Sequence, residues 1–402
     1  GCRTTKTAEA MRQLFKGVAA SARRELARLG ASAEYRAVVW WLPLTLILFF
    51  ALFFSHEVVG SLPIAVVDED DSYLSRRFVS MLYASHEVAD VVEVADIAEA
   101  RQMLLAGEVV GIVEIVGNFA KNALSGGSAK VVYYDSGTNV STASLSSKGV
   151  QTVATTFGVG VALQRAEMRG AMADEAIAEV MPIGFTTYAL FNPWLNYAYY
   201  VGPCFWAMVL IISAMLSTIY AIGSELRYAS SLEWVDSANG SLLGALMGKL
   251  APLTLLLWAL SAVVGVLVFG IYDAPMRGAW WVVALGCAVV ILAYQAVAIF
   301  IVALTASFRL SLSLGGGYSV LAFTFSGVTF PTMAMFSAVQ PLTALFPYTY
   351  FMRLYIDQAV RGVEWWRSMS DIAAMLLFCL LPILALPRLW RVVTNNRFWG
   401  RL

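Results

Sequence analysis

Asp68-Glu69-Asp70-Asp71 is the densest run of chemically competent side chains in this 402-residue chain. Four adjoining carboxylates can attract a cation, but the run follows the apolar "LPIAVV", and a solvated turn closing a strand is the better reading. The rest of the inventory is thin. The two histidines, His56 and His86, are far apart, and Cys2, Cys204, Cys287 and Cys379 share no metal-ligand or redox spacing. Gly248-Lys249 in "GALMGKLA" lacks the spacing of a phosphate-cradling loop, is followed by leucine, and opens an apolar run. No Ser/His/Asp or Cys/His arrangement stands out. The expectation is a chain with no catalytic residues, no metal and no cofactor of its own.

Two charged stretches carry more information. "GSELRYASSLEWVDSANGS" lies between apolar runs and alternates sign through Glu225, Arg227, Glu233 and Asp236 around Trp234. It is too long for a simple turn and has an aromatic anchor, so it reads as a short docking helix; a plain solvated loop is the competing reading. Near the N-terminus, "MRQLFKGVAASARRELARL" places Leu14, Phe15, Val18, Ala22, Leu26 and Leu29 on one helical face. With Arg23, Arg24 and Arg28 mostly elsewhere, this is an interfacial amphipathic helix whose cations meet anionic lipid headgroups.

The elements that must hold these stretches are membrane helices. A composition of 59% hydrophobic and 13% charged residues is too apolar for a soluble protein of this length. Apolar runs lie at about 37–59, 197–222, 242–271, 279–306, 312–339 and 371–393. Each is long enough to cross a hydrocarbon core of about 30 Å. Six spans put both termini on one side. Residues 1–36 carry eight Lys/Arg against three Glu, and 388–402 carry four Arg and no acid, so that side is the cytoplasm. The organisation expected is an interfacial helix at 1–36, a first span at 37–59, an extracytoplasmic domain at 60–195, spans two to six within 196–393, and a cytoplasmic tail at 394–402. Strand-like and helix-like patterns in the outer segment suggest a β-α-β-α-β-β order, then one long or broken helix over 140–180. That is a small mixed sheet with helices on one face. The fold class is thus an α-helical polytopic membrane protein with an inserted α+β domain. No charge lies mid-span, so an ion relay is not expected, and a transporter of this kind needs a separate energy source.

The order of "ALFNPWLNYAYYVGP", the 231–252 stretch from "SLE" to "GKLAP", "FTFSGVTFPTMAM" and "LFPYTYFMRL" resembles the ABC-2 type permeases, membrane subunits of ABC exporters with the type V fold. The resemblance covers essentially the whole chain. It departs at Ser230-Ser231, where the family usually has Gly-Thr. It implies a multi-pass subunit of a bacterial inner membrane, paired with a second permease and with cytoplasmic ATPase subunits that carry the ATP and Mg. The large outer domain resembles the subgroup that often works with a periplasmic adaptor. Nucleic acid is not an expected partner. Glu225, Arg227, Glu233, Trp234 and Asp236 become ATPase-coupling candidates. Span five is expected to break at Pro331, with Gly327 allowing close packing before it and a re-entrant region at about 331–352. Phe323, Phe325, Phe330, Met333 and Met335 would offer an adaptable apolar pathway to amphipathic or lipid-like cargo. The alternative is a non-transporting envelope scaffold or receptor of the same architecture. A membrane-embedded transferase is disfavoured by the lack of polar residues at an interface site.

Overall fold

The computed structural model describes residues 2–54, 62–88, 90–136, 140–169 and 197–400. The chain divides into two compact units: Gly1–Glu57 with Asn196–Leu402, and Val58–Leu195. The first unit opens with α1 (Cys2–Ala31) and α2 (Ala33–Phe53). Ser32 separates them in an extended conformation, and its hydroxyl accepts from the Tyr35 N–H at 3.2 Å. That cap satisfies one of the orphan donors of a new helix, so the chain turns without leaving its backbone unpaired.

The second unit alternates strands and helices: β1 (Ile64–Asp68), α3 (Tyr73–Tyr83), β2 (Val91–Val94), α4 (Ile97–Ala106), β3 (Gly111–Ile115), α5 (Phe119–Ser125), β4 (Val131–Asp135) and α6 (Val140–Met168). The sheet order is β2-β1-β3-β4, with β1 parallel to β2 and β3, and β4 antiparallel to β3. The expected α4 is closed as its sequence suggests. Asp96 accepts from the Glu99 N–H at 2.8 Å, and Gly107 ends the helix at φ +76°. The expectation of helices on one face is wrong. Ala65, Val67 and Ile112 pack with Ala100 on one side, and Ile64, Val66 and Val113 pack with Phe78, Phe119 and Phe157 on the other. Central parallel strands need cover on both faces, and the unbroken apolar "IAVV" of β1 carries that signal. The short α5 was not expected at all. Residues 170–180 of the expected long helix lie outside the described residues.

The first unit resumes with α7 (Tyr197–Arg227), α8 (Ser231–Ser237), α9 (Leu242–Ile271), α10 (Trp280–Thr305), α11 (Phe308–Thr324), α12 (Pro347–Tyr355) and α13 (Trp365–Thr394). Among the described residues, five helices are long and apolar enough to cross a membrane: α2, α7 from Val201, α9, α10 and α13. α7 and α10 form the buried centre, with Trp206, Ile211, Met215, Ile291, Tyr294 and Val302 inside. α2, α9 and α13 keep most of their surface outward, as helices facing hydrocarbon do. Arg388 of α13 donates to the carbonyls of Ala303 (2.8 Å) and Leu304 (2.9 Å), neutralising the last turn of α10.

α11 is where the expected fifth run departs from expectation. It has 17 residues, so it is about 25 Å long. It ends at Thr324, well before Pro331. The Ser326 hydroxyl donates to the Phe323 carbonyl at 2.6 Å, and Gly327 takes φ +85°, which L side chains avoid. Pro331 follows with φ −56° and opens a 3-10 turn at Thr332–Ala334; a second one, Gln340–Leu345, leads into α12. The stop is therefore made by a glycine and a serine, and the proline only shapes the loop beyond it. A Cβ on Gly327 would also come within 2.9 Å of Thr332 Cγ2. Gly327→Ala is expected to cost about 1 kcal/mol or more, and Pro331→Ala to stay within about 1 kcal/mol of wild type. Thermal unfolding of the two purified variants checks the order, and a larger loss at Pro331 would return the break to the proline.

Candidate functional site

Where α1 lies on α9, small residues and one ion pair make the contact. Gly17, Ser21 and Glu25 follow one another at four-residue spacing on one face of α1; Gly17 meets Ala238, just past α8, and Ala245, Gly248 and Lys249 answer from α9. A Cβ on Gly248 would stand 2.4 Å from the Val18 carbonyl oxygen and 3.1 Å from the Ala22 nitrogen. Only glycine permits this approach. Ser21 Oγ donates to the Ala245 carbonyl at 3.0 Å, and the Trp234 indole N–H of α8 donates to the same oxygen at 3.2 Å.

The close approach encloses an ion cluster. Lys249 Nζ donates to Glu25 Oε2 at 2.5 Å and to Glu225 Oε1 at 2.7 Å, and sits 4.9 Å from the Trp234 ring centroid. Glu225, the third residue from the end of α7, also accepts from both η nitrogens of Arg24 (the second at 3.1 Å), from Arg28 Nη1 at 2.5 Å and from the Ser230 hydroxyl. Arg28 reaches on to Ser224 Oγ at 2.8 Å, and the Tyr35 hydroxyl donates to Glu25. The side chains of Glu25, Glu225 and Lys249 are at most 2% exposed, while Arg24 and Arg28 keep about a fifth of theirs. Three cations thus face two buried carboxylates. Glu233 adds a third acid from the exposed side, 3.8 Å from Arg24 Nη2. Burial alone would lower the Arg24 pKa, but the hydrogen bond and charge of Glu225 outweigh it and hold the guanidinium above its ordinary value.

Several expected positions fall differently. Glu225 and Trp234 are buried, so neither presents itself to a partner. Glu225 is drawn inward because two arginines and a lysine surround it. Arg24 and Arg28 point into the protein rather than at lipid headgroups; Arg23 is the exposed one of the three. The helix packs through its small and ionic face, and Phe15 and Leu26 of the expected apolar face are exposed. Arg227 is half-buried, its guanidinium over the rings of Tyr228 (5.2 Å) and Phe308 (5.7 Å). Glu233 and Asp236 do lie outward on α8, beside exposed Leu232 and Tyr228.

The expected pathway group does not form one surface. Phe323 packs on Phe205 (5.1 Å) and Phe325 stacks on Phe346 (5.8 Å), both half-buried, and Met335 is half-buried too. Phe330, Pro331 and Met333 are exposed, Met333 at 88%. Lys249 and Glu25 were missed as site residues. The signal was present: an ionisable residue two turns inside an apolar helix needs a partner of opposite charge.

Residues 35–386 match the ABC-2 family transporter proteins, and the chain belongs to this family. It is therefore the membrane-embedded permease part of a transporter, not itself catalytic, of a family that works with ATPase subunits. No curated protein and no solved structure matches the chain.

Removing one member of a buried ion cluster leaves its partner uncompensated, at about 3–5 kcal/mol. Lys249→Met is expected to destabilise the protein by that order, chiefly through Glu25, which keeps only the Tyr35 hydroxyl and a longer contact to Arg28 at 3.3 Å, whereas Glu225 keeps both arginines at close range. Adding Glu25→Gln should recover much of the loss. Unfolding of the single and double variants in detergent measures the coupling, and additive losses would show that Lys249 and Glu25 do not act as a pair.

Proposed function

We propose that the chain is the membrane-spanning permease subunit of an ATP-driven exporter in a bacterial cytoplasmic membrane. The observation that carries this reading is α8. Its outer face offers Leu232, Glu233 and Asp236, while its inner face is tied down by Trp234 and, one residue before it, by Ser230 on Glu225. A partner pressing on α8 presses on the ion cluster, and through it on α1, α7 and α9 together. In this reading the cluster end is cytoplasmic and ATPase subunits, holding ATP and Mg, dock on the exposed acidic face. The shorter α11 serves as a sixth crossing, so both termini are cytoplasmic and the unit at 58–195 lies outside. A second permease, identical or related, completes the pathway, and a periplasmic adaptor meets the outer unit. The cargo is amphipathic or lipid-like, since the membrane unit offers aromatic and aliphatic surface rather than polar pockets.

Reversing charge at Glu233 and Asp236 together places like charges where complementary ones are expected, at a cost of several kcal/mol. Pull-down of the ATPase by the Glu233→Lys/Asp236→Lys variant should fall by at least about tenfold, which corresponds to about 1.4 kcal/mol. Both side chains are exposed, so insertion and thermal stability should remain near wild type. Unchanged pull-down would move the docking surface elsewhere. A wild-type chain that captures no ATPase would favour the scaffold or receptor reading.

A further inference from the structure

At the end of the first unit opposite the ion cluster, α7, α9, α10 and α12 leave a groove of about 830 Å³. Its walls include Pro203, Trp258, Gly265, Gly270, Ala284 and Cys287. The lining residues include no charged side chain, and the hydroxyl of Ser261 is already bonded to the Trp258 carbonyl at 2.8 Å within its own helix. The space is not forced by the backbone. A Cβ on Gly265 would meet nothing within 4 Å, and one on Gly270 only Val266 Cγ1 at 3.8 Å. Larger residues would fit without strain and fill the groove, so the glycines keep it open.

Its dimensions point to one occupant. From Trp258 to Gly270 the α9 wall rises by about 18 Å, close to half of a hydrocarbon core of about 30 Å. That is one leaflet deep. The mouth is held in place: Arg277 N–H donates to the Ala359 carbonyl at 3.2 Å, and Gly278 N–H to the Gln358 carbonyl at 2.9 Å. Arg277 is exposed there, directly after the wall residue Met276 and three residues before the outward-facing Trp280. A cation and an indole at the end of an apolar slot suit a phospholipid, with the phosphate at the guanidinium and the ring at headgroup level.

We propose that this groove binds the acyl chain of a phospholipid of the far leaflet, with Arg277 holding its phosphate. The site is distinct from the α8 surface, and it requires no ATPase. The test uses full-length protein in phosphatidylglycerol vesicles containing a phosphatidylglycerol probe with a photoactivatable diazirine on its acyl chain. Cross-linked peptides are mapped by mass spectrometry. Labelling should concentrate on the peptides holding Trp258, Met276 and Cys287, well above the lipid-facing Leu44–Leu48 stretch of α2. It should fall several-fold in Gly265→Leu/Ala284→Leu, which fills the slot, and also in Arg277→Gln, which leaves the slot intact; thermal unfolding verifies that both variants are folded. A diacylglycerol probe with the same chain but no phosphate should label the groove several-fold less. Labelling spread evenly over the outward faces, unchanged in the filled variant, or equal with the diacylglycerol probe overturns the proposal. Loss of ATPase pull-down in the α8 variants leaves these results unmoved, so the two readings fail separately.

Discussion

A lysine ammonium with 1% of its side chain exposed governs the arrangement of the first unit. Taken out of water, that charge costs several kcal/mol unless carboxylates meet it at close range. Lys249 lies two turns inside α9, and α9 has no acid of its own. The partners must come from elsewhere, and they come from α1 and from the end of α7. Each carboxylate so recruited is itself buried and needs further donors, which Arg24, Arg28, Ser230 and Tyr35 provide. The close seat of α1 on Gly248, the turn at Ser32 and the stacking of Tyr35 on Tyr220 at 4.8 Å are consequences of meeting that demand. Such a cluster fixes one geometry more than it adds stability, because a hydrophobic replacement of equal volume would avoid the desolvation altogether.

That distinction bears on function. A surface helix held only by apolar contacts can slide, since neighbouring packings differ little in energy. One held by directional hydrogen bonds to buried charges moves with its partners or breaks them. α8 is of the second kind, with its indole on the Ala245 carbonyl and its ring against Lys249. A force applied to its exposed face is therefore delivered to three helices at once. This is a physical requirement for coupling between an outside partner and the membrane interior, and in the function proposed above an ATPase supplies the force.

How much of this was legible beforehand depends on the range of the interactions. Apolar runs and helix caps are local, so the membrane character, the capped α4 and the strands of the second unit could be read from the chain. The ion cluster joins residues about two hundred positions apart, and nothing near Lys249 says which acid it meets. Its burial was readable, its partners were not. Glu225 and Trp234 read as part of a partner surface but face inward, because charge and aromaticity suggest such a surface equally well from inside or outside. At the end of α11 two helix-breaking residues compete, and the sequence does not rank them. The earlier one, Gly327, stops the helix with help from Ser326, and Pro331 then finds nothing left to break. The helices on the second face of the sheet follow from the unbroken apolar run of β1, since a strand apolar on both sides needs cover on both.

α9 links the two ends of the membrane unit. Lys249 lies near its start, and the groove residues Trp258 to Gly270 occupy its second half. From Lys249 to Gly265 the helix rises by about 24 Å. A hydrogen-bonded helix of this length transmits displacement without absorbing it, except where its ladder is altered, and here it is altered twice: at Pro252, which has no N–H to donate, and over Leu267–Ile271, where it changes to π-type bonding. The uninterrupted part of the ladder therefore begins past Pro252 and runs along the groove wall, and the π-type stretch begins near the groove's far end. The space beside Gly265 and Gly270 therefore lies on the far side of the Pro252 interruption from Lys249, at the end of the unit where Arg277 and Gly278 are tied to the carbonyls of Ala359 and Gln358.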